Sequence, residues 1–583
     1  MTKNNNLNKL LNQARSLIEA KEFDKAIPIY EAILAIDNMH IQALSHLPII
    51  YLMNKRYEES IDMINRSFEI IKPVVGDYQN LASAYVGLKD YNNAINTYKK
   101  IIEIDPNILQ IYKLLGDAQI EVADHVGAFN SYRHALKLAP GQFQQLFDYG
   151  TALHIAKYHE EAIEILEKAL KVNPGHIECM NKRAACFSAI GDYREAKLIY
   201  QKLMALVPDA LAPVIDYASC LIFERKYDEA VKLLKEVLVK KPYNNIAKSN
   251  LSMIYLAKKK FKEGWEYYEA RIEMRNDIDV TKRFDMLKTF FDIDIGKKEL
   301  KTNEKIIILQ DAGIGDAILS LSMLKEFHKK YKNISVEADY RLVDLFKRSF
   351  PDVEFYPFRE SRHEILIKYN LSLFDKGIYW MSLGKYVRQE IVDFPKKEIA
   401  FLQPDNNKIN EIKSKLQKGK DIICGISWKS EALEDRHKTT QLENLLPIFS
   451  IKDIRFIDLQ YETKKNLGET ALEKKNLFKN NNIKIEEYKG IDKFEDIDGL
   501  TALISNCDIV VTSSNVTAHI AGGLGIKTFL FVPFSRGRLW YWHDEGDKSI
   551  WYPSIKIFRA ESAGVWGTIF EKMAEAIKQE LNL

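Results

Sequence analysis

The amino-acid sequence predicts an all-α helical solenoid followed by an α/β module of two Rossmann-like lobes. Three observations carry this reading. A small residue recurs every 34 residues through the first 275 or so, and proline recurs on the same interval. Beyond Asn303 the pattern changes to short apolar runs alternating with helical stretches.

The small residue is Ala26, Ser60, Ala94, Ala128, Ala162, Ala196, Ala230 and Gly264, with no insertion across the eight units. One turn earlier stand Phe23, Tyr57, Tyr91, His125, Tyr158 (one place out of step), Tyr193, Tyr227 and Phe261. A small residue lets two antiparallel helices approach, and the aromatic fills the gap beside it, so these rings are read as core. Pro106, Pro140, Pro174, Pro208 and Pro242 follow, each able to stop a helix because proline lacks the N–H and clashes with the preceding turn. Regular prolines exclude a long coiled coil. The interval is the tetratricopeptide signature, with units of roughly 7–40, 41–74, 75–108, 109–142, 143–176, 177–210, 211–244 and 245–278. Units one, two and eight lack the proline, as expected of capping repeats. Such an array presents a concave groove for a peptide or protein segment. The alternative is that it merely spaces or dimerises the rest of the chain.

At 583 residues the chain is too long for one core. The formal charge of +3 gives no global argument for nucleic acid or an anionic membrane. Cys179, Cys186, Cys220, Cys424 and Cys507 include no C-x-x-C pair and no His/Cys cluster at zinc spacing. They read as small buried hydrophobes in a reducing compartment. The first residues, Met1 to Lys9, lack the apolar core of a signal peptide, and no run of about 18 apolar residues occurs. The expectation is a cytoplasmic protein.

The expected organisation is a solenoid over 1–278, a linker over 279–303, an N-terminal lobe over 304–404 and a C-terminal lobe over 405–583 with a C-terminal helix. In the first lobe, strands are expected at 305–310, 334–338 and 353–358, with helices from near Asp316 and over 342–350. The stretch from Phe401 to Lys408 resembles a hinge. Strands are then expected at 422–428, 455–459, 509–512 and 528–532, with helices at 442–449, 496–506 and 516–523. In open α/β sheets a ligand sits at the carboxyl ends of the strands.

Three loops lie there. In Gln310-Asp-Ala-Gly-Ile-Gly-Asp316, Gly313 and Gly315 permit a tight turn and close approach of a ligand to backbone N–H groups. Ile318 breaks the dinucleotide fingerprint, and no Gly-Lys-Ser/Thr follows to make a P-loop. Asp316 reads either as a carboxylate favoured by the helix dipole or as a general base for an attacking hydroxyl. In the second loop, Ser427, Lys429, Arg436 and Lys438 offer hydroxyl and cationic donors suited to a diphosphate whose charge rises as its bond to a sugar breaks. A solvated charged loop is the alternative. The third, Thr512 to Gly525, brings Ser513, Ser514 and Asn515 to a helix start, with Thr517 and His519 near its first turn. Arg536, Arg538 and the Trp540-Tyr-Trp-His543 run lie past a strand end, without an assigned role.

Gly-Ile-Gly-Asp316, Gly-x-x-Trp-Lys429 and His519-x-Ala-Gly-x-Leu-Gly525 resemble heptosyltransferase-type (family 9) glycosyltransferases. The whole chain is similar to bacterial proteins that fuse tetratricopeptide repeats to such a module, and Trp551-Tyr-Pro-Ser-Ile-Lys-Ile-Phe-Arg559 matches their C-terminal segment. The resemblance implies a two-Rossmann, GT-B-type module with an acceptor-side first lobe and a donor-binding second lobe. It implies inverting, metal-independent transfer from a nucleotide sugar, with no cofactor and no metal. Asp316 would be the base, Lys429 a phosphate contact, and Ser514 to His519 the diphosphate loop. Many relatives have Asp in place of Ser514, so donor contacts there differ. The implied partners are a nucleotide sugar and a protein acceptor in the groove, flagellin being one by analogy, with no nucleic acid; the repeats could also mediate oligomerisation.

The Asp-x-Asp pairs Asp277/Asp279, Asp292/Asp294 and Asp496/Asp498 could hold a divalent metal but read as solvated or capping carboxylates. Two rival functions stay open: transfer to lipopolysaccharide or another glycan, and a non-catalytic adaptor with an inactive transferase module. Sugar and nucleotide are not determined by these residues.

Overall fold

The structure, a computed structural model, describes residues 2–274, 300–360, 365–367, 370–397, 400–416, 421–430, 438–462, 468–534, 536–562 and 565–583. Most of the 279–303 linker, the pairs Asp277/Asp279 and Asp292/Asp294, and Arg436 lie outside the described residues.

The chain forms eight antiparallel helix pairs, from Thr2–Glu19 with Phe23–Ile36 to Asn245–Ala257 with Phe261–Tyr268. Every marker from Ala26 to Ala230 is fully buried. Seven of the aromatic or His positions open the second helix of a pair. Tyr158 instead precedes its helix and is 46% exposed, so it is not core as expected. One residue is about 100° of helix, enough to turn a ring off the buried face. The turn inside each pair holds one residue at positive φ, again at the 34-residue interval. These are Lys21, Lys55, Lys89, Ala123, Lys157, Gly191, Arg225 and Lys259, with φ from 58° to 89°. Only Gly191 is the residue this conformation favours. Among the described residues no helix is long and apolar enough to cross a membrane.

Two compact units result, one ending at Pro213 and one running from Val214 to Leu583. The last two repeats therefore belong to the same unit as the α/β module, a boundary different from the expected 278.

In the second unit, β1 (Ile306–Leu309), β2 (Ile334–Asp339), β3 (Glu354–Glu360), β4 (Ile365–Ile367) and β5 (Lys376–Tyr379) form a sheet of order β4-β3-β2-β1-β5. It is parallel except for edge strand β4. The other sheet is parallel throughout. It comprises β6 (Ile422–Ser427), β7 (Ile454–Asp458), β8 (Ile485–Glu486), β9 (Ile509–Ser513), β10 (Lys527–Val532) and β11 (Ile555–Arg559), in the order β11-β10-β9-β6-β7-β8. Strand order reverses beside β1 and beside β6, which opens a crevice at the carboxyl ends of each. The hinge expected at Phe401–Lys408 is partly a helix, Asn406–Leu416, and its Phe401 and Leu402 N–H groups both donate to the Gly523 carbonyl (2.9 and 3.0 Å).

Repeat eight, expected from its missing proline to be a capping repeat, packs onto the module instead. Phe261, Trp265 and Tyr268 are buried in the core of the α/β module. The Trp265 ring meets Trp540 edge-on at 5.6 Å, and its Nε1 donates to the Arg388 carbonyl at 2.6 Å. Gly384 lies against the same indole: a Cβ there would fall 2.2 Å from Cζ2. The helix ends in Arg271, which pairs with Asp311 at 2.6 Å and lies 4.1 Å from the centre of the Tyr268 ring. The positive-φ turn residues of repeats seven and eight serve as anchors too. Arg225 donates twice to the Phe534 carbonyl (3.2 and 3.0 Å) and pairs with Asp544 at 3.4 Å, while Lys259 Nζ donates to the Glu545 carbonyl at 3.2 Å.

Candidate functional site

A cleft of about 340 Å³ lies at the carboxyl ends of β1 and β9. The first lobe contributes Gly313, Gly315 and Asp316, and the second contributes Lys438, Ser514, Asn515 and His519. Seven of the residues singled out from sequence thus share one cavity. Ser427, Lys429, Ser513 and Thr517 do not line it.

Asp316 sits in the first turn of the helix Ile314–Leu321, whose N-cap Gly313 has no side chain to cap the leading N–H groups. The carboxylate is half-buried and hydrogen-bonded by the Tyr541 hydroxyl. Burial first, and then the Asp316 charge, push the Tyr541 phenol well above its ordinary pKa, so it stays a donor. Gly315 faces the second lobe: a Cβ there would come within 2.8 Å of His519 Cδ2. That close approach brings the helix Ile314–Leu321 against Val516–Gly523.

His519, on the helix Val516–Gly523, is enclosed by three aromatic side chains. Nδ1 is 3.0 Å from the Tyr552 hydroxyl, Nε2 is 3.4 Å from that of Tyr541, and the Trp542 ring lies 5.4 Å away. Burial, with the positive charge of Lys438 added, lowers its pKa to about 3. It is a neutral imidazole held between two phenols. Ser514 Oγ accepts from Trp542 Nε1 at 2.7 Å.

Asn515 ties the switch point together. Its Oδ1 accepts from the Thr517 N–H at 3.0 Å, capping the helix. Its amide donates to Ser427 Oγ (2.7 Å), the Lys429 carbonyl (3.1 Å) and Ser513 Oγ (3.3 Å). Ser427 and Ser513 are therefore internal struts. Gln460, which nothing in the linear sequence marked, accepts from Ser427 Oγ and from the N–H groups of Trp428 and Lys429 (3.1, 3.0 and 2.8 Å). Lys429 Nζ pairs with Glu473 at 2.7 Å and is not in the cleft wall. Thr517 is fully buried, with no partner for its hydroxyl among the described residues.

Sequence reasoning passed over Arg341, Tyr461, Lys493 and Phe494, all in the cleft wall. Arg341 follows β2 directly, so the rule that ligands gather at strand ends would have found it. It is held by Asp339 at 2.9 Å and lies 5.0 Å from the Phe494 ring centre. Of the unassigned run, Tyr541 lines the cleft, Trp540 packs on repeat eight, and Arg538 pairs with Asp544. Asp496 caps the helix Ile497–Ile504 through the Gly499 N–H at 2.8 Å, and Asp498 pairs with Arg348.

Tetratricopeptide repeat profiles match residues 78–108, 146–176 and 188–247. The chain is similar to Protein FlbA of Caulobacter vibrioides, 28% identical over 338 residues that make up 56% of this chain and 54% of that protein. It thus spans about half the length of the curated relative it matches. Among solved structures it is similar to the C-terminal part of a TPR repeat-containing protein from Cytophaga hutchinsonii, with 17% identity, coverage of 41% of this chain and 98% of that one, and a TM-score of 0.37. It is also similar to YrrB, described as a TPR protein with an unusual peptide-binding site, with 19% identity, coverage of 29% and 88%, and a TM-score of 0.27. The repeats support a protein-interaction role, and the two-lobed α/β module is compatible with a transferase.

Proposed function

We propose that the chain is an inverting, metal-independent glycosyltransferase that moves a sugar from a nucleotide sugar to a hydroxyl of a protein acceptor recruited by the solenoid. The observation that carries this reading is the cleft, with one carboxylate on the first lobe facing cationic, hydroxyl and amide groups on the second. Asp316 takes the acceptor hydroxyl proton as the oxygen attacks the anomeric carbon from the face opposite the leaving group. The bond from that carbon to the diphosphate breaks, and a nucleoside diphosphate departs. Its added charge is met by Lys438 and by N–H groups at the helix starts, in a site partly closed to water. Neither a metal nor a cofactor is needed for these steps. The proposed compartment is the cytoplasm, in keeping with five buried thiols.

Thermal shift with a panel of nucleoside diphosphates tests binding, because a ligand of the folded state stabilises by mass action. Transfer to co-expressed proteins then tests the chemistry. Asp316→Asn should keep the thermal shift and lose transfer by about 100-fold or more. Transfer at the wild-type rate would refute the role of Asp316. Acceptor recruitment is tested by deleting residues up to 213, which spares repeat eight because it is core to the second unit. If protein glycosylation survives that deletion, the solenoid does not recruit the acceptor; transfer only to glycans would favour the lipopolysaccharide alternative.

A further inference from the structure

We infer that His154, His159 and Cys186 form a zinc site between repeats five and six, independent of the cleft. One ligand atom from each lies within 4.8 Å of the other two. His154 Nδ1 is 3.1 Å from Cys186 Sγ, and the two imidazole centres are 5.4 Å apart. Zinc binds nitrogen at about 2.0–2.1 Å and thiolate sulfur at about 2.3 Å, so tetrahedral ligand atoms sit roughly 3.3–3.7 Å from one another. The separations, 3.1 Å for one pair and no more than 4.8 Å for any, bracket that range, so side-chain shifts of about an ångström let the three residues take an ion. Two nitrogens and one thiolate are a set that selects zinc over the hard cations.

The repeats supply their own controls. His154 ends the helix Phe143–Ile155, His159 opens His159–Val172, and Cys186 is on Ile177–Ile190. One interval earlier the corresponding residues are Ile120, His125 and Ala152, and one interval later they are Ser188, Tyr193 and Cys220. Each neighbouring junction lacks at least one donor. Only the junction of repeats five and six has all three. The spacing along the chain resembles no zinc finger; the solenoid makes the site by stacking its turns.

The two kinds of ligand start from different protonation states. Burial lowers His154 to about 4, so its lone pair is available at neutral pH. Burial raises Cys186 to about 12, against the opposing effect of Lys182, so the uncomplexed thiol keeps its proton. Zinc deprotonates a coordinating thiol outright, so binding should release that proton. His154 and His159 are half-buried, which leaves the fourth position to water or to the exposed carboxylate of Glu160, whose charge is felt at Cys186.

The test titrates the full-length chain with cobalt(II), then zinc(II). One equivalent of cobalt should give a thiolate-to-metal charge-transfer band and tetrahedral d–d absorption, both removed by zinc. One proton should be released per metal near pH 7. His159→Ala and Cys186→Ser should each abolish the charge-transfer band while leaving the far-UV circular dichroism unchanged, whereas Cys220→Ser should leave the band intact. Absence of the band in the folded wild-type chain would overturn the proposal, as would a band that survives His159→Ala. If Cys186→Ser unfolds, His159→Ala decides, because that side chain is half-buried at a helix start.

Discussion

Trp265 gives the sharpest test of whether repeat eight is structurally part of the α/β module. Trp265→Ala removes an indole that is 3% exposed, and large-to-small changes of this kind cost about 3–5 kcal/mol. It also leaves the Arg388 carbonyl without its 2.6 Å donor, worth about 1 kcal/mol more. A loss near 5 kcal/mol is a large share of the roughly 5–15 kcal/mol that holds a typical domain. Trp265→Phe keeps much of the ring and loses the N–H, so about 2 kcal/mol is expected. The assay is favoured by the sequence, because all 7 tryptophans (265, 380, 428, 540, 542, 551 and 566) lie in the second unit. Tryptophan fluorescence in urea therefore follows that unit alone, while far-UV circular dichroism is weighted towards the repeats. The fluorescence midpoint should fall strongly for Ala and modestly for Phe, with the repeat-weighted transition unmoved. A fluorescence change under about 1 kcal/mol for Trp265→Ala would refute the reasoning.

Gly315→Ala places a methyl 2.8 Å from His519 Cδ2 and should cost about 1–3 kcal/mol by fluorescence, with His519→Ala relieving part of that loss; purely additive effects would contradict the contact. Acid should weaken the second unit. His519 and His543 are lowered by burial to about 3, so the stability is full above about pH 6.5 and lost as pH falls towards 3, by up to about 1.4 kcal/mol per unit for each. Asp216, raised by burial to about 6, acts in the opposite sense below pH 6, leaving a net loss of up to about 3 kcal/mol at pH 5; a flat fluorescence midpoint between pH 7 and 5 would exclude it. Ala123→Gly relieves a residue at φ 60° and should stabilise the repeats by up to about 1 kcal/mol, read as a higher dichroism midpoint in urea.

The helix pairs and most strands were legible because burial imposes a period, and a period survives in one dimension. Strands β4, β5, β8 and β11 were not: the first three are three, four and two residues long with too few apolar positions to alternate, and β11 lies in a stretch marked by its resemblance and not by its period. The helix Asn406–Leu416 did carry a signal, Ile409, Ile412 and Leu416 at helical spacing, but its many Asn and Lys residues made it resemble a hinge. At the site, sequence identified the loops and not the side-chain directions. Lys429 follows its strand as expected, yet the helix Glu469–Asn481 offers it Glu473, and the nearer opposite charge wins. Asn515 was legible as a cap, whereas its hold on Ser427 depends on β6 and β9 being neighbours, which only topology reveals. Likewise Arg271 reaches Asp311 across 40 residues, beyond any spacing rule.

The identical inner turn of every repeat, closed without an insertion, also bears on how such a chain changes over generations. Recombination between repeat-coding segments upstream of Pro213 would gain or lose whole 34-residue steps and leave each new junction already formed. Repeats seven and eight are barred from that traffic, because Arg225, Lys259 and Trp265 are committed to partners in the module. The length of the interaction surface can thus be retuned by copy number while the cleft is inherited intact.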